Sequence, residues 1–119
     1  MARILIVEDD EHQRLLYREQ FEAEGYEVLE ACDGREALAC IRANPPDAVV
    51  LDINMPGMDG LQTLMRIHDL SRRLPVILNS AYTAYRDQFV SWIADAYVTK
   101  SSNTAELSDA VRTVLAKRR

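Results

Sequence analysis

Four short segments of this 119-residue chain close an apolar run on groups that can do chemistry. Ile4-Leu5-Ile6-Val7 leads into Glu8-Asp9-Asp10, and Ala48-Val49-Val50-Leu51 leads into Asp52-Ile53-Asn54. The run over 75–78 leads into Asn79-Ser80, and Ala96-Tyr97-Val98-Thr99 leads into Lys100-Ser101. A carboxylate at the end of a buried run costs desolvation energy unless something pairs with it. Two carboxylates about 5 Å apart repel by roughly 3 kcal/mol at an effective dielectric of about 20. Glu8, Asp9 and Asp52 gathered in one place therefore need a cation, and hard oxygen ligands with room for water suit Mg²⁺. Lys100 adds a positive charge but leaves the cluster negative, and Ser80 adds a hydroxyl. A metal, an ammonium and a hydroxyl around one carboxylate suit phosphoryl chemistry: the cations neutralise the phosphoryl oxygens and the carboxylate attacks.

Such a gathering needs a scaffold, and the pattern of the chain supplies one. Short β-branched runs alternate with stretches of helical spacing: β1 over 4–7, α1 over 11–24, β2 over 26–31, α2 over 35–43, β3 over 48–51, α3 over 61–70, β4 over 75–78, α4 over 85–93, β5 over 96–99 and α5 over 103–115. Gly25 is placed to end α1, and Pro45-Pro46 to end α2. Leu15, Leu16 and Phe21 are the apolar residues of α1, and Asn103 with Glu106 has the spacing of a capping box for α5. Of the ten elements, α4 has the least regular pattern. Five βα units with continuous apolar strands imply an α/β fold, a three-layer domain with a parallel sheet covered on both faces. In such sheets ligands bind beyond the carboxyl ends of the strands, where these four segments end.

Composition narrows the function. A net charge of −5 argues against direct nucleic-acid binding, and Lys117-Arg118-Arg119 reads as a solvated basic helix end. No apolar run is long enough for a membrane span, and the N-terminal run is too short for a signal peptide, so a cytoplasmic location is expected. Cys32 and Cys40 form no CxxC pair and are expected to be reduced, mostly buried thiols; His12 and His68 are expected at the surface.

Taken together and in order, ILIVEDDE (4–11), LDINMPGMDG (51–60), PVILNSAY (75–82) and AYVTKSS (96–102) resemble the receiver domains of response regulators over essentially the whole chain. The resemblance implies a single domain over 1–119, flavodoxin-like, with a five-stranded parallel sheet in order 2-1-3-4-5, an order of which this family is a standard example. It implies that Asp52 accepts a phosphoryl group from a sensor histidine kinase or a phosphotransfer protein. It implies that Glu8, Asp9, Asp52 and the backbone carbonyl of Asn54 hold Mg²⁺, with Asp9 the direct ligand of the acidic pair and Glu8 acting through water. Ser80 matches the switch hydroxyl, Lys100 the lysine that pairs with the phosphoryl group, and Tyr97 the aromatic that turns when Ser80 moves. Met55-Pro56-Gly57 and Gly60 match the turn that leads away from the acceptor. The output face, and a homodimer interface, would be α4, β5 and α5. The chain would act on its own Asp52 rather than turn over a substrate.

Plainer readings stand beside these. Asp52 can cap a turn, Ser80 can cap α4, Lys100 can snorkel from a strand end, and Tyr97 can be an ordinary half-buried strand residue. Tyr82 is placed to gate water or simply to sit in an exposed loop, and Trp92 reads as packing. A degenerate receiver that only docks is the first rival function. A hydrolase working through an aspartyl phosphate is the second, but it wants an acid two residues after the nucleophile, where this chain has Asn54. Two departures from the family pattern are visible: Ser101 replaces the proline usual after the lysine, which favours a trans Lys100–Ser101 bond, and the acidic pair is Glu-Asp rather than Asp-Asp.

Overall fold

The computed structural model describes residues 1–52, 60–80, 94–100 and 104–117, with the side chain of Leu61 excepted. Within them β1 is Arg3–Val7, α1 Glu11–Ala23, β2 Glu27–Ala31, α2 Gly34–Ala43, β3 Ala48–Leu51, α3 Gly60–Leu70, β4 Val76–Ser80, β5 Ala96–Thr99 and α5 Ala105–Lys117. The five strands form one sheet in the order β2-β1-β3-β4-β5, and every pairing is parallel. The expected topology is the observed one. The helix expected over 85–93, the turn at 55–57, Trp92, Tyr82, the Asn103 cap and the Lys100–Ser101 bond fall outside the described residues.

The period of two along each strand sorts the core into two halves. Leu5, Val7, Val49, Leu51, Val76, Leu78 and Tyr97 share one face, packed with Ala37, Leu38 and Ile41 of α2 and with Leu64 and Ile67 of α3. Ile4, Ile6, Ala48, Val50, Ile77 and Val98 share the other, packed with Tyr17 and Phe21 of α1 and with Leu107, Val111 and Val114 of α5. Burial on both faces is why these strands read as unbroken apolar runs rather than as alternation.

The helix ends follow from local chemistry. Asp10 caps α1, its Oδ1 accepting from the backbone N–H groups of His12 and Gln13, and Asp33 caps α2 by accepting from Glu36. At the far end of α1, Gly25 takes a φ of +94°, which a glycine tolerates without a Cβ penalty. The Gly25 N–H then reaches the Glu22 carbonyl and the Tyr26 N–H reaches that of Phe21, while the Phe21 and Tyr26 rings meet with centroids 6.0 Å apart. These are the two bonds and the apolar contact of a Schellman stop.

Most bounds lie within one residue of the sequence reading, and three boundaries or faces differ by more. β4 runs on through Asn79 and Ser80, because both pair with β5, opposite Val98 and Thr99; ladder bonds override the weak strand preference of Asn. α5 begins at Ala105 rather than 103. In α1 the buried residues are Tyr17 and Phe21, one turn apart, whereas Leu15 and Leu16 are about half exposed. Cys32 and Cys40 are free, as expected, but partly exposed rather than mostly buried. Cys32 is held out of the core by a 2.9 Å bond from its thiol to the Glu36 carboxylate. β2, at one end of the sheet, is flanked by ion pairs: Arg3 with Glu27, and Arg14 and Arg18 with Glu30.

Candidate functional site

The parallel register carries Val7 opposite Leu51 and Leu51 opposite Leu78. One step further, at the carboxyl edge, Glu8, Asp52 and Asn79 therefore stand side by side. Glu8 and Asp52 are 2% and 5% exposed, unusually deep for carboxylates, whereas Asp9 is exposed. Carboxylate oxygens of Glu8, Asp9 and Asp52 all lie within 4.8 Å of one another. Three hard oxygen donors at that separation fit one small divalent cation.

Lys100 closes the cluster from β5. Its Nζ lies 2.6 Å from Glu8 Oε1 and 3.4 Å from Asp52 Oδ2. Its backbone N–H donates to the Ser80 carbonyl at 2.6 Å, which fixes the end of β5 to the end of β4. The second Glu8 oxygen accepts from the Asp10 N–H at 3.3 Å. Burial pushes the Glu8 carboxyl up to about 7; the Lys100 bond opposes the rise and the Asp52 charge adds to it. Burial alone would lower Lys100, but the Glu8 bond and the Asp52 and Glu8 charges outweigh it, so its pKa also rises. The two shifts have different origins: burial dominates at Glu8, and the neighbouring carboxylates dominate at Lys100.

Ser80 ends β4 fully buried, at the same edge as the acids. Tyr97, expected to turn inward when Ser80 moves, is 4% exposed in this structure and packed on the α2–α3 side of the sheet, opposite Leu78. Asn54 lies outside the described residues. The structure thus brings Glu8, Asp9, Asp52 and Lys100 into one cluster with Ser80 at its border, and Tyr97 lies behind it in the core.

Sequence reading missed two contributors. Arg14 donates from Nη1 to the Glu8 carbonyl at 2.8 Å while its Nε reaches Glu30, tying the β1–α1 loop to β2. Asn79 donates from Nδ2 to the Tyr17 hydroxyl at 3.0 Å, and that hydroxyl donates to Gln13 Oε1 at 2.9 Å. The signal for the second was present: Gln13, Tyr17, Gln20 and Glu24 recur at helical spacing on one side of α1.

The model of the response regulator receiver domain matches residues 4–112. The chain belongs to that family. The receiver is 36% identical over 118 residues to the transcriptional regulatory protein PrrA of Mycobacterium tuberculosis, a match covering 98% of this chain and 51% of PrrA. It spans about half the length of that relative. It is also similar to the crystal structure of the response regulator protein TrrA from Thermotoga maritima in complex with Mg²⁺ and beryllofluoride, with a TM-score of 0.90 and 41% identity over 96% of this chain and 99% of TrrA. A structure of TrrA in complex with the histidine kinase ThkA is similar too, with a TM-score of 0.89 and 42% identity over 97% of this chain and 99% of that one. Among the described residues, no helix of the receiver is long and apolar enough to cross a membrane.

Proposed function

We propose that this receiver takes a phosphoryl group from a sensor histidine kinase, or from a phosphotransfer protein, onto Asp52. The observation that carries the reading is the cluster itself: Lys100 Nζ within 3.4 Å of Asp52, with three carboxylates within 4.8 Å of one another at the carboxyl edge of the sheet. An Asp52 oxygen forms the new P–O bond as the P–N bond of the phosphohistidine breaks, and the proton required by the leaving imidazole comes from solvent. Lys100 faces the phosphoryl oxygens and offsets their charge. Ser80 donates its hydroxyl to the same oxygens, and hydrolysis later returns Asp52 to its free state. The chain is thus a switch that acts on itself, not a turnover enzyme. The histidine kinase bound to TrrA supports the choice of donor, and the net negative charge speaks against direct nucleic-acid contact by this domain.

Glu8, Asp9, Asp52 and the Asn54 carbonyl would hold Mg²⁺, with waters completing the shell. Bound there, Mg²⁺ supplies positive charge for the phosphoryl oxygens. Its binding should raise the melting temperature at millimolar concentration, because it relieves the carboxylate repulsion and binds the folded state alone. At about a hundredfold excess over Kd the gain is about 2.7 kcal/mol. Asp9→Ala should abolish the Mg²⁺-dependent shift; a shift of unchanged size in that variant rules Asp9 out as a ligand.

Ser80 reaches the phosphoryl oxygens by moving toward them, and the surface of α4, β5 and α5 is the proposed output and homodimer face. Amide exchange with and without beryllofluoride and Mg²⁺ tests the whole reading. Residues 82–103 should change protection in the wild type and stay unchanged in Asp52→Asn. Equal changes in both proteins would show that the switch does not run through Asp52, and no change in either would favour a receiver that only docks.

A further inference from the structure

The buried Asn79–Tyr17 contact lies at the candidate site. Asn79 is 2% exposed and follows Leu78 on β4, one step beyond the pairing of Leu51 with Leu78, so it stands beside Asp52 in the edge row. Strand alternation puts it on the face of Ile77 and Val98, the side covered by α1 and α5. By the same alternation Glu8 follows Ile6 and Asp52 follows Val50 onto that face. Asn79 therefore shares an edge and a face with both buried carboxylates.

The bonds fix which way its amide points. A phenol has one hydrogen, and the Tyr17 hydroxyl uses it toward Gln13 Oε1 at 2.9 Å. Its oxygen must then accept from Asn79, so Nδ2 faces Tyr17, at 3.0 Å. The Asn79 NH₂ keeps a second hydrogen. The Tyr17 phenol is close enough to the cluster to feel it: burial raises its pKa, the Asn79 bond lowers it, and Lys100, Glu8 and Asp52 each act on it through their charges.

We propose that Asn79, oriented by Tyr17, is a positioning residue of the Asp52 site, its second amide hydrogen holding the acceptor carboxylate in the attitude from which it attacks. A neutral donor does this without adding to the charge that Lys100 already balances. Gln13, at the outer end of the relay, fixes the phenol, so α1 reaches the chemistry through β4. The inference rests on the phosphoryl-acceptor reading for its role, but the contact itself can be read without it.

Two measurements test it. In heteronuclear NMR spectra the Asn79 side-chain amide resonances should shift in Asp52→Asn; resonances that stay put overturn the contact, whatever the chain does with phosphoryl groups. The second measurement is a set of variants assayed for phosphoryl acceptance from acetyl phosphate with Mg²⁺ and for thermal stability. Asn79→Leu should slow acceptance about tenfold, the value of one hydrogen bond to a charged group, and Tyr17→Phe should slow it less. Tyr17→Phe alone should also cost stability, because it strands a buried donor. The double variant Tyr17→Phe/Asn79→Leu replaces both partners with apolar groups and should recover stability. Its acceptance should remain slow. If acceptance recovers together with stability, the pair only docks α1 and the positioning role is overturned. A wild type that takes no phosphoryl group refutes the acceptor reading instead, and the NMR result then stands or falls by itself.

Discussion

Asp52→Asn should take up no phosphoryl group from acetyl phosphate and Mg²⁺, a loss of at least about a thousandfold, because an amide cannot supply the attacking oxygen. The substitution keeps the side-chain shape and removes one buried charge. Asp52 is 5% exposed and shares its cluster with Glu8 and Asp9, so the loss of repulsion offsets the loss of the 3.4 Å Lys100 contact. The variant should therefore melt at or above the wild-type temperature. That combination separates chemistry from damage: a protein that is stable but silent has lost its acceptor. Intact-mass measurement after incubation reads the result directly. Uptake that persists in Asp52→Asn would move the acceptor to Asp9 or Glu8.

The second large effect is expected at Lys100. Lys100→Ala should slow phosphoryl acceptance by about a hundredfold or more, the usual result of removing one group aimed at developing charge. It should also destabilise the fold by about 2 kcal/mol at pH 8, below the range for fully buried pairs because the ammonium is partly solvated. The pH dependence identifies the cause. Glu8 has a folded pKa raised from 4.5 to about 7. Its favourable contribution is complete below 4.5 and is lost as pH climbs through about 7, where the folded state finally releases the proton. Without Lys100 the strongest restraint on that rise is lost, so at pH 8 keeping Glu8 buried costs more, either as a carboxylate without its ammonium or through the proton it must hold. At pH 5 Glu8 keeps its proton in both proteins. The stability gap between wild type and Lys100→Ala should therefore be wider at pH 8 than at pH 5 in denaturant titrations. A gap that is constant with pH would mean that the lysine stem, not its charge, carries the effect.

Much of this arrangement is legible in the sequence. Ala48–Leu51 and Ala96–Thr99 have the predicted bounds, because runs buried on both faces leave a signal that needs no partner to interpret. Gly25 announced its own turn. The sheet-edge acids and Lys100 were found because each follows an apolar run directly. What was not legible depends on contacts between segments. That Glu8 is buried while Asp9 is exposed follows from the fold of the β1–α1 loop, since adjacent acids look alike in a sequence. Asn79 looked as if it lay beyond β4 because its pairing with Val98 is a long-range fact. Counting apolar residues in α1 picked out Leu15 and Leu16, which are half exposed. It passed over the polar Gln13–Tyr17 line that meets β4. Amphipathic patterns assume that the inward face is oily, and here part of it is hydrogen-bonded.

The ion pairs along β2 bear on a different matter, how the protein behaves in a crowded solution. A terminal strand has one row of backbone N–H and C=O groups with no strand beside it, a template for a second chain. Here Glu27 and Glu30 stand on that strand with Arg3, Arg14 and Arg18 drawn over them. An incoming strand would have to strip water from these charged groups before making its first bond. The same arginines that tie the strand to β1 and α1 thus set charge beside the strand with which a second copy would have to pair.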